Sequence, residues 1–302
     1  MSRKKLLTNS GSWCIIKLDN EIKIWGDFVY KLIVSDVDGT LMGEDLVIHP
    51  DNYKAITSAV EKGFTFVLCS GRSHKSLRKL HDDLGLPTEN AYIISFNGGT
   101  VYSVEQEAVV HEEHTPFDVA MRAIRLFKSR CRKDEIEVFV YNDPDNIATE
   151  HGSKTAENYS KISQTEIRFV DNIQKDTEES GRVVKVVFIG WREPLEVFRK
   201  ELMAELGDDA EIFFSSEYLL EIGSPKASKG VALGWLCDKL GIDISQTIAM
   251  GDNYNDLTMI ETAGMGVAVA NSVDELKEIA NHITEKTAEQ GAVAEVINKF
   301  IL

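Results

Sequence analysis

The sequence predicts an α/β fold, a parallel-sheet core with right-handed crossovers split by an inserted domain with its own helices and strands. Two observations carry this. Short, continuous apolar runs of strand length alternate with helical stretches, and each run ends at a polar cluster. Near residue 112 the composition changes, and the first pattern returns only about a hundred residues later.

The first strand is the apolar run Leu32-Ile33-Val34, which stops at Asp36 as a strand buried on both faces does. Pro50 opens a helical pattern through Tyr53, Ile56, Ala59 and Val60 that Gly63 closes. Residues 64–69 read as a second strand, 73–84 as a helix and 91–96 as a third strand, ending at Asn97-Gly98-Gly99. The inserted segment holds helices over 119–127 and 194–206 and strands over 136–141 and 183–189. Between them, residues 142–180 are rich in Ser, Thr and Glu and do not read as core. The opening pattern then resumes with a helix over 228–240, a strand over 247–250, a helix over 255–263, a strand over 266–270 and two last helices.

A chain of 302 residues with 43% hydrophobic content can bury one large core and a smaller second one. The expected organisation is an extension over residues 1–28, a discontinuous core over 29–111 and 215–302, and an inserted domain over 112–214. In the extension, Ile22 and Ile24 alternate with charged residues, as an edge strand would, and no role is assigned to it.

With 33 basic against 49 acidic residues the formal net charge is −16. That field repels nucleic acid and anionic membranes, so neither is an expected partner. It also opposes an anionic small molecule, so a phosphorylated substrate requires a metal or local positive charge. The four cysteines, Cys14, Cys69, Cys131 and Cys237, form no CxxC pair and read as apolar fillers rather than as a zinc site or disulfide framework. No apolar run approaches the ~18 to 20 residues of a membrane span. A cytoplasmic location is the expectation.

Four polar clusters follow predicted strands: Asp36-Val37-Asp38-Gly39-Thr40, Ser70-Gly71-Arg72, Asn97-Gly98-Gly99 and the run from Gly251 to Asp256. In an open parallel sheet the carboxyl ends of the strands meet at one crevice, so these clusters are expected to form one site. Asp36, Asp38, Asp252 and Asp256 converging without a cation would repel one another. Oxygen ligands with room for phosphate and water suit magnesium. The Ser70 hydroxyl and the backbone N–H groups around Gly71, at a helix start, can hold phosphate oxygens. Lys226 and Lys229 offer positive charge near the return from the insertion.

The run KLIVSDVDGTL ending at Leu41 resembles the DxDGTL motif of haloacid dehalogenase superfamily phosphatases. Ser70 is similar to their second motif, the stretch from Pro225 to Gly230 to their third, and GDNYND ending at Asp256 to their fourth. The insertion between the second and third motifs is similar to the α/β cap of the Cof-type subfamily. The resemblance implies a Rossmann-like core and a phosphatase in which Asp36 attacks phosphorus and Asp38 acts as acid and base. Magnesium would be held by Asp36, the Asp38 backbone carbonyl and Asp252. Ser70, Lys229 and Asn255 would bind the phosphoryl oxygens, and Asp256 would support Lys229 or the metal's waters. Thr40 and Asn97 are expected behind these groups, and Lys226 at the surface. The implied substrate is a small phosphorylated metabolite, sugar-like in character. Two other readings share the motifs: a phosphomutase or phosphotransferase of the phosphomannomutase kind, and a phosphosugar-binding regulator, against which the presence of both Asp36 and Asp38 argues. The cap would supply specificity, with His151, Ser153, Lys154 and Tyr159 as polar candidates, each expected at the surface. A monomer is the default.

Overall fold

The computed structural model describes residues 14–18, 21–25, 30–130, 135–144, 146–163 and 165–302. Cys131 and most of the 1–28 extension lie outside them. Within the extension, β1 (Cys14–Leu18) and β2 (Glu21–Trp25) pair antiparallel as a two-stranded ribbon of their own. The stretch around Ile22 is thus a strand, but it is not an edge of the main sheet.

The main sheet starts with β3 (Leu32–Ser35), followed by α1 (Pro50–Glu61), β4 (Thr65–Cys69), α2 (His74–Asp83), β5 (Tyr92–Ser95), β6 (Thr100–Ser103) and β7 (Ala108–Glu112). The cap then supplies α3 (Phe117–Ser129), β8 (Ile136–Asp143), β9 (Asn146–Thr149), α4 (Lys154–Ser163), β10 (Ile167–Phe169), α5 (Ile173–Ser180), β11 (Lys185–Gly190), α6 (Arg192–Leu206), β12 (Glu211–Ser216) and β13 (Leu219–Gly223). The chain returns through α7 (Lys229–Leu240), β14 (Thr247–Gly251), α8 (Leu257–Thr262), β15 (Met265–Ala268), α9 (Asp274–Ile279), β16 (His282–Ile283) and α10 (Ala292–Phe300).

The core sheet has the order β16-β15-β14-β3-β4-β5-β6-β7. From β16 to β5 the strands are parallel, and β6 and β7 add an antiparallel hairpin at one edge. Helices α1, α2 and α10 cover one face, and α7, α8 and α9 cover the other. Leu32, Ile33 and Val34 therefore have no exposed surface, which is why β3 carries an unbroken apolar run instead of an alternation.

The cap sheet has the order β10-β9-β8-β11-β13-β12. Val138, Val140, Val186, Phe188, Leu220 and Ile222 face α3, α5 and α6, while Phe139, Tyr141, Val187, Ile189 and Leu219 face the other way, against Tyr159 and the core residue Phe96. Thr115, on the first crossing between the sheets, ties it to the cap with its hydroxyl 3.1 Å from the carbonyls of Val184 and Ile222.

Three sequence expectations are corrected here. Residues 142–180 hold two strands and two helices, and bury Ile147, Ala148 and Ile173 completely. Their few apolar residues sit in strands and helices too short to give a periodic signal. Tyr159 is buried rather than at the surface, its hydroxyl 2.9 Å from that of Tyr141. The cap sheet continues to Gly223 instead of ending at residue 214, because β12 and β13 form a hairpin against β11. Cys69 and Cys237 are buried free thiols. Among the described residues no helix is long and apolar enough to cross a membrane.

Candidate active site

The carboxyl ends of the central strands β3 and β14 bring the first and fourth polar clusters together. Asp36 N–H donates to the Met250 carbonyl at 2.9 Å, fixing Asp36 at the step off β3. Asp252 stands one residue beyond β14, and its Oδ1 accepts from the Thr40 hydroxyl at 2.8 Å. Gly39 lies between them with φ +87°, and any Cβ there would overlap the Asp252 carboxylate. That position combines a left-handed backbone with close approach, which only glycine supplies without strain.

Lys229 is the first residue of α7, whose start is fixed by the Ser228 hydroxyl accepting from Val231 N–H at 3.2 Å. From there its ammonium reaches across the sheet and donates to Asp36 Oδ1 and Asp256 Oδ1, both at 2.6 Å. Lys229 and Asp256 have no exposed surface and Asp36 has 4%. The two acids raise the Lys229 pKa above its ordinary value despite burial, so the ammonium stays charged. Asp256 Oδ2 accepts from the backbone N–H groups of Asp252 and Asn253 at 2.9 and 3.1 Å. With Lys229 on its other oxygen, Asp256 is fully engaged. It holds the loop and the lysine in place.

Burial lifts Asp36 well above the usual carboxylate range, opposed by Lys229 and reinforced by Asp256, Asp252 and Asp38. Burial and then Asp256 push Asp252 up to about 6. Two adjoining acids that both resist ionisation call for a cation. Carboxylate oxygens of Asp36, Asp252 and Asp256 all lie within 4.8 Å of one another. Because Asp256 is already committed on both oxygens, the donor set left for a metal is Asp36 with Asp252. Hard oxygen donors of this kind fit magnesium.

The opposite wall comes from the ends of β4 and β5. Ser70 and Gly71 follow β4, and Ser70 N–H donates to the Ile94 carbonyl at 3.0 Å. Phe96 and Asn97 both adopt left-handed backbones, at φ 52° and 55°. The strain is held by Phe96 N–H donating to the Arg72 carbonyl and Asn97 N–H to the Ser70 carbonyl. Asn255 Nδ2 donates to Asn97 Oδ1 at 3.0 Å, leaving the buried Asn97 Nδ2 without a protein acceptor beside Gly71. An orphaned donor there suits an anion's oxygen.

Asp38 points elsewhere. Its carboxylate is gripped by Arg72, whose Nε donates to Oδ2 at 2.9 Å while Nη2 donates to Oδ1. The structure thus brings Asp36, Asp252, Asp256, Lys229 and Thr40 into one cluster, joins Asn97 to Asn255 beside Ser70 and Gly71, and sets Asp38 on the rim. Lys226 is exposed.

Sequence reasoning gave no role to two residues that the geometry makes prominent. Arg72 stands in a quoted cluster, and an arginine after a phosphate-binding serine is a usable signal. Lys185 of the cap donates to Glu221 Oε2 at 2.9 Å and to the Gly71 carbonyl at 3.4 Å, tying the cap to the site's wall. Nothing in the sequence around it marks that contact.

A profile of the haloacid dehalogenase-like hydrolases matches residues 33–297. The chain is 32% identical over 91% of its length to YxeH of Bacillus subtilis, of which 99% is covered and whose name describes it as a phosphatase. It is 29% identical, over 91% of its length and 98% of the relative's, to the 5-amino-6-(5-phospho-D-ribitylamino)uracil phosphatase YcsE of Bacillus subtilis. Among solved structures, a haloacid dehalogenase-like hydrolase from Bacteroides thetaiotaomicron superposes with a TM-score of 0.79 at 30% identity, covering 90% of this chain and 100% of the other. With four motifs in one crevice and the match running nearly end to end, the chain belongs to the haloacid dehalogenase-like hydrolases.

Proposed function

We propose that this chain is a phosphatase that hydrolyses small phosphomonoesters, sugar-like ones among them, through an aspartyl-phosphate on Asp36. The observation that carries the reading is the buried cluster of Asp36, Asp252 and Asp256 around the Lys229 ammonium. It presents one nucleophilic carboxylate at a strand end, positive charge beside it and a place for a hard cation. Relatives with phosphatase names support it, among them one whose named substrate is a phosphate ester of a ribityl chain.

In this reading Asp36 attacks phosphorus in line, forming an O–P bond as the bond to the leaving oxygen breaks. Asp38, once swung off Arg72 and protonated from solvent, gives its proton to that oxygen, releasing the alcohol. It then takes a proton from water, which attacks phosphorus and frees inorganic phosphate and Asp36. Ser70, the backbone at Gly71, Asn255 with Asn97, and Lys229 hold the phosphoryl oxygens. Arg72 keeps Asp38 at the rim of the site and adds positive charge there. Magnesium, held by Asp36, Asp252 and the Asp38 backbone carbonyl, supplies charge neutralisation between carboxylate and phosphate when bound.

The test is phosphate release by wild type and Asp36→Asn from sugar phosphates, pyridoxal phosphate, flavin mononucleotide and nucleotides, with and without magnesium. Release that needs both magnesium and Asp36 is expected. Tight, magnesium-dependent binding with no release from any of them would favour a mutase or a sensor.

A further inference from the structure

We propose that Lys185 of the cap, held by Glu221, is a positioning residue for the phosphoryl group. Its ammonium sets the peptide between Gly71 and Arg72, so the loop that binds phosphate is complete only with the cap in place. The inference rests on the phosphatase reading above and gives a role in that same site to a residue standing behind it.

The loop after β4 gives three successive carbonyls to donors behind it. Asn97 N–H donates to the Ser70 carbonyl at 3.0 Å and Phe96 N–H to the Arg72 carbonyl at 3.1 Å, both from the core. The middle carbonyl, that of Gly71, accepts from the Lys185 ammonium of the cap at 3.4 Å. Across a trans peptide the C=O and N–H point in opposite directions. The peptide that gives its carbonyl to Lys185 therefore aims the Arg72 N–H the other way, where it donates to the Ser70 hydroxyl at 3.3 Å. That hydroxyl is the group assigned to phosphate. A cation on the carbonyl polarises the peptide and makes its N–H a stronger donor to an anion on the far side.

The pair is costly if it only props the fold. Lys185 and Glu221 are 6% and 4% exposed, with their charged atoms 2.9 Å apart. Taking two charges out of water costs about as much as their attraction returns, and well-packed apolar side chains in their place hold a fold equally well. The ammonium lies between the domains, 5.0 Å from the ring centroid of Tyr141 in the cap and 5.5 Å from that of Phe96 in the core. Burial works against its charge, but Glu221 and then Tyr141 lift its pKa above the ordinary lysine value, so the ammonium stays charged. The Ser215 hydroxyl donates to the other Glu221 oxygen at 2.6 Å and fixes the carboxylate. Lys185 and Glu221 also line a cavity of about 30 Å³ with Glu113 and Ser224, one on each crossing between core and cap. The pair thus stands at the junction of the two domains, and the placement of the cap sets how far the ammonium is from Gly71.

Two variants separate positioning from packing. Lys185→Met alone strands the Glu221 charge, whereas Lys185→Met with Glu221→Gln removes both charges and is expected to unfold in urea close to the wild-type midpoint. With magnesium, this folded double variant should still lose about tenfold or more in kcat/KM. The loss should be the same for glucose 6-phosphate and flavin mononucleotide, because the defect lies at the phosphate end, and inhibition by inorganic phosphate should weaken about tenfold with it. Activity that returns with stability in the double variant would overturn the inference, as would a loss confined to one ester. If wild type releases phosphate from no ester, the phosphatase reading fails, and inorganic phosphate titrated calorimetrically with magnesium still reads the loop. Weaker binding by the double variant then upholds the role of Lys185, and equal binding overturns it.

Discussion

Replacing Lys229 by methionine removes the ammonium that touches two buried carboxylates while keeping the length of the side chain. Its ammonium donates at 2.6 Å to each of Asp36 and Asp256, and the side chains of the three residues are 0%, 6% and 0% exposed. Breaking a buried ion pair by deleting one partner costs about 3–5 kcal/mol, because the other charge is left without compensation. Asp256 keeps its two backbone donors, and Asp36 can take a proton, so the low end of the range applies to mildly acidic solution. The penalty grows with pH as that proton is lost from Asp36. The expected result is a loss of about 4 kcal/mol in guanidinium unfolding at about pH 8 and about 3 kcal/mol at about pH 5.5, measured without divalent metal. Adding Asp256→Asn should recover part of the loss, since the pair is coupled through direct contact. A loss below about 1 kcal/mol, or one equal at both pH values, would refute the claim that Lys229 is the counter-ion of this cluster.

Two further outcomes follow from the same electrostatics. Asp252 has its pKa pushed up from an ordinary 3.8 to about 6. The folded state therefore binds the extra proton, and metal-free stability falls as pH rises from about 4 through 6, by about 2–3 kcal/mol in all. Magnesium competes with that proton, so its stabilising effect in thermal unfolding should be larger at about pH 7.5 than at about pH 5. In the cap, Lys185→Met leaves Glu221 buried with, among the described residues, only the Ser215 hydroxyl donating to it, and should cost about 3 kcal/mol in urea unfolding. Lys185→Met with Glu221→Gln should recover most of this, and equal losses for the single and double variants would show that the pair is not coupled.

The fold and the centre of the site are legible in the sequence for one physical reason: strands buried on both faces have to be apolar throughout, so polar residues at their ends stand out. Asp36, Ser70, Asn97 and Asp252 are all of this kind. Lys229 is separable from Lys226 through the family resemblance, since Ser-Lys-Gly is the form the third motif takes there, and the structure adds that Ser228 caps the start of α7. What depends on tertiary geometry is not legible. Arg72 and Asp38 meet across two loops with no shared period, and Lys185 reaches Gly71 from 114 residues away. Tyr159 and Ile173 are core residues set in short elements whose other positions are mostly polar. The hairpin of β12 and β13 is built on the short apolar runs Ile212-Phe213-Phe214 and Leu219-Leu220, and such runs also fit a resumption of the core.

The most direct test of the central claim is to mix the enzyme with a radiolabelled phosphomonoester and magnesium, quench in acid within milliseconds, and map the labelled peptide. The account predicts label on the peptide that contains Asp36, absent in Asp36→Asn and absent without magnesium. Turnover in wild type with the label on another residue, or with turnover unchanged in Asp36→Asn, would contradict it.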